Sequence, residues 1–166
     1  MLETLLPFVV IYFNTAVSLG VGGSSIVIAS FLVALADGKI DQPERALLGV
    51  IYVTLRVAMA SILAMLVYIA LVAPDILPSI LYFGIMVAVL YLNAILMTKH
   101  WISSKLGPAL QAATWYTLGF VTVIDAFTLY EVSLAFFLTL YLVDIVIAVA
   151  AVNGIMLYLT QRRKAR

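Results

Sequence analysis

A chain of 166 residues that is 66% hydrophobic and 10% charged, with a mean hydropathy of +1.21, is too apolar for a water-soluble domain, where about half the residues are apolar and about a quarter charged. The formal net charge of +1 comes with no basic stripe, so no nucleic-acid partner is expected. Cysteine is absent, which excludes disulfides, thiolate metal sites and dithiol redox chemistry within the chain. What remains is an all-α fold: a polytopic membrane bundle of five transmembrane helices in one transmembrane domain over 1–166. It is expected in the lipid bilayer of a cell membrane, plasma or inner, as a multi-pass protein.

Met1-Leu-Glu-Thr-Leu-Leu6 carries no basic n-region and no small-residue cleavage pattern, so the first helix is expected to stay in the mature protein. The first apolar span covers about 5–36. At 1.5 Å per residue its 32 or so residues reach about 48 Å, against a hydrocarbon core of about 30 Å. The span must tilt, protrude or bend, and Gly20-Val-Gly-Gly-Ser-Ser25 is where a bend is expected. Asn14, Ser18, Gly22, Ser25 and Ala29 share one face, which either lets a neighbouring helix approach or lines a polar path. After it, Gly38 is expected to end the helix in the left-handed region, and Asp41 with Glu44 to form a capping box for the next. The same loop resembles the second half of an EF-hand loop, but Val33 and Leu35 stand where the first ligands are required, so calcium is not expected.

The second span, about 46–72, places Tyr52, Arg56, Ala60 and Leu63 on one face, with Arg56 deep in an apolar run. The third, about 79–97, ends at His100, the only histidine, and one histidine without a second ligand completes no metal site. The fourth, about 108–127, lines up Gln111, Thr114, Leu118, Thr122 and Asp125 within about 100° of a 3.6-residue wheel. The fifth, about 132–160, puts Tyr141, Asp144, Ala148 and Ala151 on one side and Asn153 roughly opposite. All five prolines (Pro7, Pro43, Pro74, Pro78 and Pro108) fall at or near these boundaries, as expected of a residue tolerated in first turns and not in interiors.

Lys39, Arg45, Lys99, Lys105 and the Arg162-Arg-Lys164 and Arg166 tail all fall on one side of a five-span topology. By the positive-inside rule that side is cytoplasmic and the amino terminus is outside. Glu3, Asp75 and Glu131 fall on the other side, and Trp101 and Trp115 are expected as interface anchors near the cytoplasmic ends of the third and fourth spans.

Two charges stand inside spans, Arg56 and Asp144. Each is disfavoured at the midplane by about 2.5 to 3.5 kcal/mol, and their depths differ by about 7 Å. A buried pair is therefore expected, serving either as a structural tie or as part of an ion or proton site. The expected intramembrane polar site comprises Arg56, Asp144, Asp125, Gln111, Thr114, Thr122, Asn14 and Tyr141. On it rests the first functional expectation, a transporter- or channel-like protein for a proton, ion or small polar solute. The alternative is a non-catalytic membrane subunit, or a homo-oligomer, because the fifth span carries polar groups on two sides. No nucleophile with its base, phosphate cradle or paired carboxylates is visible, so an enzyme is not the expected reading. An enzyme working through Asp125 and His100 would need groups from opposite leaflets. No residue pattern identifies a metal or a cofactor.

Overall fold

A computed structural model describes residues 3–37, 41–73, 77–102, 106–126 and 133–164. After a 3₁₀ turn at Glu3–Leu5 come five helices: α1 (Leu6–Asp37), α2 (Gln42–Val72), α3 (Leu77–Thr98), α4 (Gly107–Ala126) and α5 (Leu134–Lys164). Gly38, Lys39, Asp75, Lys105 and Glu131, for which the sequence predicts caps and loops, lie outside the described residues.

The helix ends follow from local chemistry. Asp41 precedes α2 in an extended conformation and forms a capping box; its N–H donates to Glu44 Oε2 at 2.9 Å, satisfying a donor the helix leaves open. Ser133 begins α5, where its Oγ accepts from the Phe136 N–H at 3.2 Å. At the end of α3, His100 adopts a left-handed conformation with φ 58°. The N–H of Trp101 then reaches Leu96 O at 2.9 Å and that of His100 reaches Met97 O at 3.1 Å. This is a Schellman closure with histidine where glycine is usual, and it saturates carbonyls that a helix end would otherwise leave exposed.

Helices α1, α2, α3 and α4 form a ring in which each packs on the next and α4 returns to α1, while α5 lies outside it against α4 and α1. Phe13, Val17, Ile62, Leu66, Phe83, Met86, Leu118 and Val121 fill much of the ring. Phe13 of α1 meets Phe83 of α3 edge-on, with ring centroids 5.1 Å apart, and Tyr82 of α3 lies 5.2 Å from Phe137 of α5. Between helices in lipid, such close contact supplies the attraction that burial from water supplies elsewhere.

Four helices contain stretches long and apolar enough to cross a membrane: Leu6–Val33, Gln42–Val72, Leu81–Thr98 and Leu134–Leu159. The fourth predicted span, α4, is not among them, because Gln111, Thr114, Thr117, Thr122 and Asp125 lower its mean hydropathy. It packs against α1, α3 and α5; Ala109, Ala112, Ala113, Thr114, Trp115, Thr117 and Leu118 are fully buried. A helix with neighbours on three sides presents little outward surface, so it can carry hydroxyl groups that those neighbours satisfy, as Tyr141 and Asp144 do for Thr114 and Thr117.

Helix α1 runs as one helix through Gly20–Ser25, with no break in its hydrogen-bonded turns. Its glycines serve close contact. The Trp115 indole occupies the space a Cβ on Gly20 would need, and a Cβ on Gly119 would stand 2.9 Å from Val21 Cγ2. Small residues thus let α1 and α4 approach closely at two reciprocal points.

Candidate functional site

The buried face of α2 is Ile51, Leu55, Ala58, Met59, Ile62, Leu66 and Ile69, spaced by three and four residues as a core stripe requires. Arg56 follows Leu55 and is turned about 100° from it. Tyr52, Arg56, Ala60 and Leu63 are accordingly all exposed, so the face predicted to look into the bundle is the outer one. Arg56 stands at its edge and reaches into the space between α2 and α3.

There it lines a cavity of ≈ 260 Å³ together with Ser24 and Val27 of α1, Tyr52, Leu55 and Met59 of α2, Ala94, Met97 and Thr98 of α3, and Pro108 and Gln111 of α4. These come from the later half of α1, the first half of α2, the end of α3 and the start of α4. The cavity therefore belongs to one end of the ring, the end carrying Arg45 and Lys99. One turn further in, Gly20 and Trp115 close on each other, and beyond them the ring is filled by apolar side chains.

The cavity has unmet polar capacity. Gln111 Oε1 is buried and accepts no hydrogen bond from the described residues, and the buried Trp115 Nε1, one turn along the same helix, donates none. A buried acceptor without a donor costs about 1 to 3 kcal/mol, so a ligand bringing a donor to Gln111 and a negative charge to Arg56 would complete both. Thr98, whose hydroxyl donates to Ala94 O at 2.8 Å, retains only acceptor capacity.

The second polar group lies between α3, α4 and α5. Thr114 donates to Leu110 O at 2.8 Å; its oxygen therefore accepts from the Tyr141 hydroxyl at 3.2 Å, and from Asn93 Nδ2 at 3.4 Å. One turn away, Thr117 donates to Asp144 Oδ2 at 2.6 Å, a length typical of a hydroxyl held by a carboxylate. Helix α4 thus holds α5 through two hydrogen-bonded pairs, with buried hydroxyls on its side of both.

A third feature is a groove of ≈ 600 Å³ along α1 and α4, lined among others by Asn14, Ser18 and Gly22 of α1 and Gly119 and Thr122 of α4. Beside it the Tyr116 hydroxyl bonds Ser25 Oγ at 2.8 Å. Since Ser25 donates to Val21 O, Tyr116 is the donor.

The eight expected site residues therefore fall into separate places. Arg56 and Gln111 share the cavity, Thr114 and Tyr141 share a hydrogen bond, Asn14 and Thr122 share the groove, Asp144 binds Thr117, and Asp125 is exposed near the end of α4. The expected Arg56–Asp144 pair is not formed. Helix α2 packs on α1 and α3, whereas α5 packs on α4 and α1, and among the described residues no ion pair joins the two. Matching depth did not bring them together because the two helices stand on different sides of the ring. Trp115, expected at the membrane interface, is instead wholly buried, whereas Trp101 is 76% exposed.

Thr117 and Asn93 were missed. Asn93 is the one carboxamide in α3, a signal that was present; Thr117 is three residues from Thr114 and so on a neighbouring face. Comparison of the chain with family models, curated proteins and solved structures finds no match.

Proposed function

We propose that the protein is a small multi-pass membrane protein that accepts a polar or anionic solute into the one-ended cavity of its four-helix ring, as a transporter- or channel-like protein does. The observation that carries this reading is that Gln111, whose buried Oε1 has no donor among the described residues, lines the same cavity as Arg56. In the proposed topology all five helices cross the membrane, the amino terminus is outside, and the cavity opens towards the cytoplasm, where positive loops are retained. Gly20 and Trp115 form its closed end. Asp144 then ties α5 to the ring and does not line the cavity.

The chain contains no cysteine, so single cysteines report directly on water access. In sealed vesicles, Gln111→Cys and Met59→Cys are expected to react with a small, charged, membrane-impermeant thiol reagent from the cytoplasmic side only. Leu118→Cys, in the filled part of the ring, is expected to stay unreacted. Failure of Gln111→Cys to react from either side would remove the solute-binding reading.

A second reading is favoured by one observation. Asn153, on α5 outside the ring, is exposed beside Gly154, and an amide facing lipid is expensive unless a partner helix meets it. A membrane-subunit or homo-oligomer role follows from it. Its check is the mass of the protein in mild detergent: a complex that Asn153→Leu dissociates supports this reading, and a monomer from the start opposes it.

A further inference from the structure

The cavity does not end at the ring. A second space of ≈ 300 Å³ is lined by Arg56, Met59, Tyr91, Ala94, Ile95, Thr98 and Lys99, and four of these, Arg56, Met59, Ala94 and Thr98, also line the first. The two are parts of one opening between α2 and α3. Its outer part reaches the bundle surface, where Tyr91 is 37% and Ile95 53% exposed. In the proposed topology that surface meets lipid.

From this geometry we infer that the lateral opening between α2 and α3 holds the phosphodiester headgroup of an anionic phospholipid, with an acyl chain lying along the apolar side chains outside it. Both ionisable cations of the opening, Arg56 and Lys99, line it, and no carboxylate appears in either lining. The guanidinium presents a planar fork that pairs with two phosphate oxygens, and the ammonium adds a point charge. Lys99 sits just past the end of α3, and Arg56, further along α2, has a methylene stem long enough to carry its guanidinium towards the same headgroup. The negative end of α3 does not oppose an anion there through open carbonyls, since those of Ile95, Leu96 and Met97 are occupied by the N–H groups of Lys99, Trp101 and His100.

A soluble phosphate ester offers the same charged group, but the opening faces sideways onto exposed Ile95 and Tyr91 and not only towards the aqueous end. That favours a ligand with an apolar tail. The inference rests on the cavity reading above for Arg56, and it names the chemistry of what Arg56 binds.

The test uses the whole chain in mild non-ionic detergent, with lipid adducts weighed by native mass spectrometry. Phosphatidylglycerol and phosphatidylcholine of identical acyl chains are the two lipids. One phosphatidylglycerol is expected to remain bound where phosphatidylcholine is lost. Arg56→Gln is expected to weaken its retention about tenfold and Lys99→Gln about fivefold, with Arg56→Lys between wild type and Arg56→Gln because it keeps the charge and loses the fork. Lys99 is exposed past the helix end, so its variant carries the test even if Arg56→Gln does not fold. Equal retention of the two lipids, or phosphatidylglycerol retention unchanged in both charge variants, overturns the inference. Inorganic phosphate that binds in an Arg56-dependent manner, without selective lipid retention, reassigns the opening to a soluble phosphate ester and overturns the lipid. Either loss leaves Gln111→Cys labelling intact if the cavity takes up solute, so the two readings fail separately.

Discussion

Gly20→Ala is expected to destabilise the folded bundle by about 3 kcal/mol, the upper end of what overfilling a close-packed interior costs. One methyl group is responsible. The position a Cβ would take on Gly20 is occupied by three ring atoms of Trp115. That ring is fully buried and overlaps the Cβ position with three of its atoms, so relief requires the indole to shift or α1 and α4 to separate. Separation would also stretch the reciprocal contact of Gly119 with Val21 and the Tyr116–Ser25 hydrogen bond. Gly22→Ala, two residues away, is the control. A Cβ there meets nothing within 4 Å, and the better helix propensity of alanine, up to about 1 kcal/mol over glycine, makes it neutral or stabilising. Unfolding followed by circular dichroism in detergent separates the two outcomes. Equal stability of the two variants would mean that α1 and α4 are not held at this distance. Trp115→Phe combined with Gly20→Ala is expected to cost less than the sum of the single changes, because the smaller ring vacates part of the contested space.

The glycines illustrate what the sequence makes legible and what it does not. The five helices were readable: spans predicted at 5–36, 46–72, 79–97, 108–127 and 132–160 correspond to Leu6–Asp37, Gln42–Val72, Leu77–Thr98, Gly107–Ala126 and Leu134–Lys164. Prolines and capping residues act within a few positions of themselves, so the boundaries are local facts. The Asp41–Glu44 box is readable for the same reason. The arrangement of the helices around one another is not local. Gly20 reads equally well as a weak point of a helix or as the seat of a ring from another helix, and only Trp115, 95 positions later, decides between them.

The same limit explains the Arg56–Asp144 expectation. Counting residues inward from a span end fixes depth, at about 1.5 Å per residue, but leaves azimuth and helix order open. Two charges at similar depth in a five-helix bundle can stand on opposite sides of it. Here the order is set by which helix tolerates neighbours on three sides. That helix is α4, because its small residues and hydroxyls pack closely and find partners on α3 and α5. Once α4 is central, Asp144 faces Thr117 and Arg56 is left at the α2–α3 edge. At that edge Arg56 lines the cavity between α2 and α3, whereas the ring interior is filled by apolar side chains.

Thr117→Val is expected to destabilise the protein by about 1.5 to 3 kcal/mol, the range for a hydrogen bond to a charged group. Valine keeps the shape of threonine and removes the one hydrogen-bond donor that Asp144 has among the described residues. Thr117 differs in this from Thr15, Thr54, Thr98, Thr114, Thr122 and Thr139, whose hydroxyls all donate to the carbonyl four residues earlier. Apart from Thr114, whose oxygen also accepts from Tyr141 and Asn93, a threonine of that kind ties only its own turn. Thr122→Val, which removes such a bond, should therefore stay within about 0.5 kcal/mol of wild type. Asp144→Asn keeps an oxygen for Thr117 to reach and is expected to lose about 1 kcal/mol at most. Asp144→Ala and Thr117→Val should be non-additive, since either change alone breaks the same bond. These variants also separate structure from activity. If the carboxyl only clamps α5 to α4, Asp144→Asn folds and retains solute flux in proteoliposomes. If its charge takes part in transfer, Asp144→Asn folds equally well and loses flux. An Asp144→Asn protein as unstable as Thr117→Val would show that the clamp depends on more than the accepted hydrogen bond.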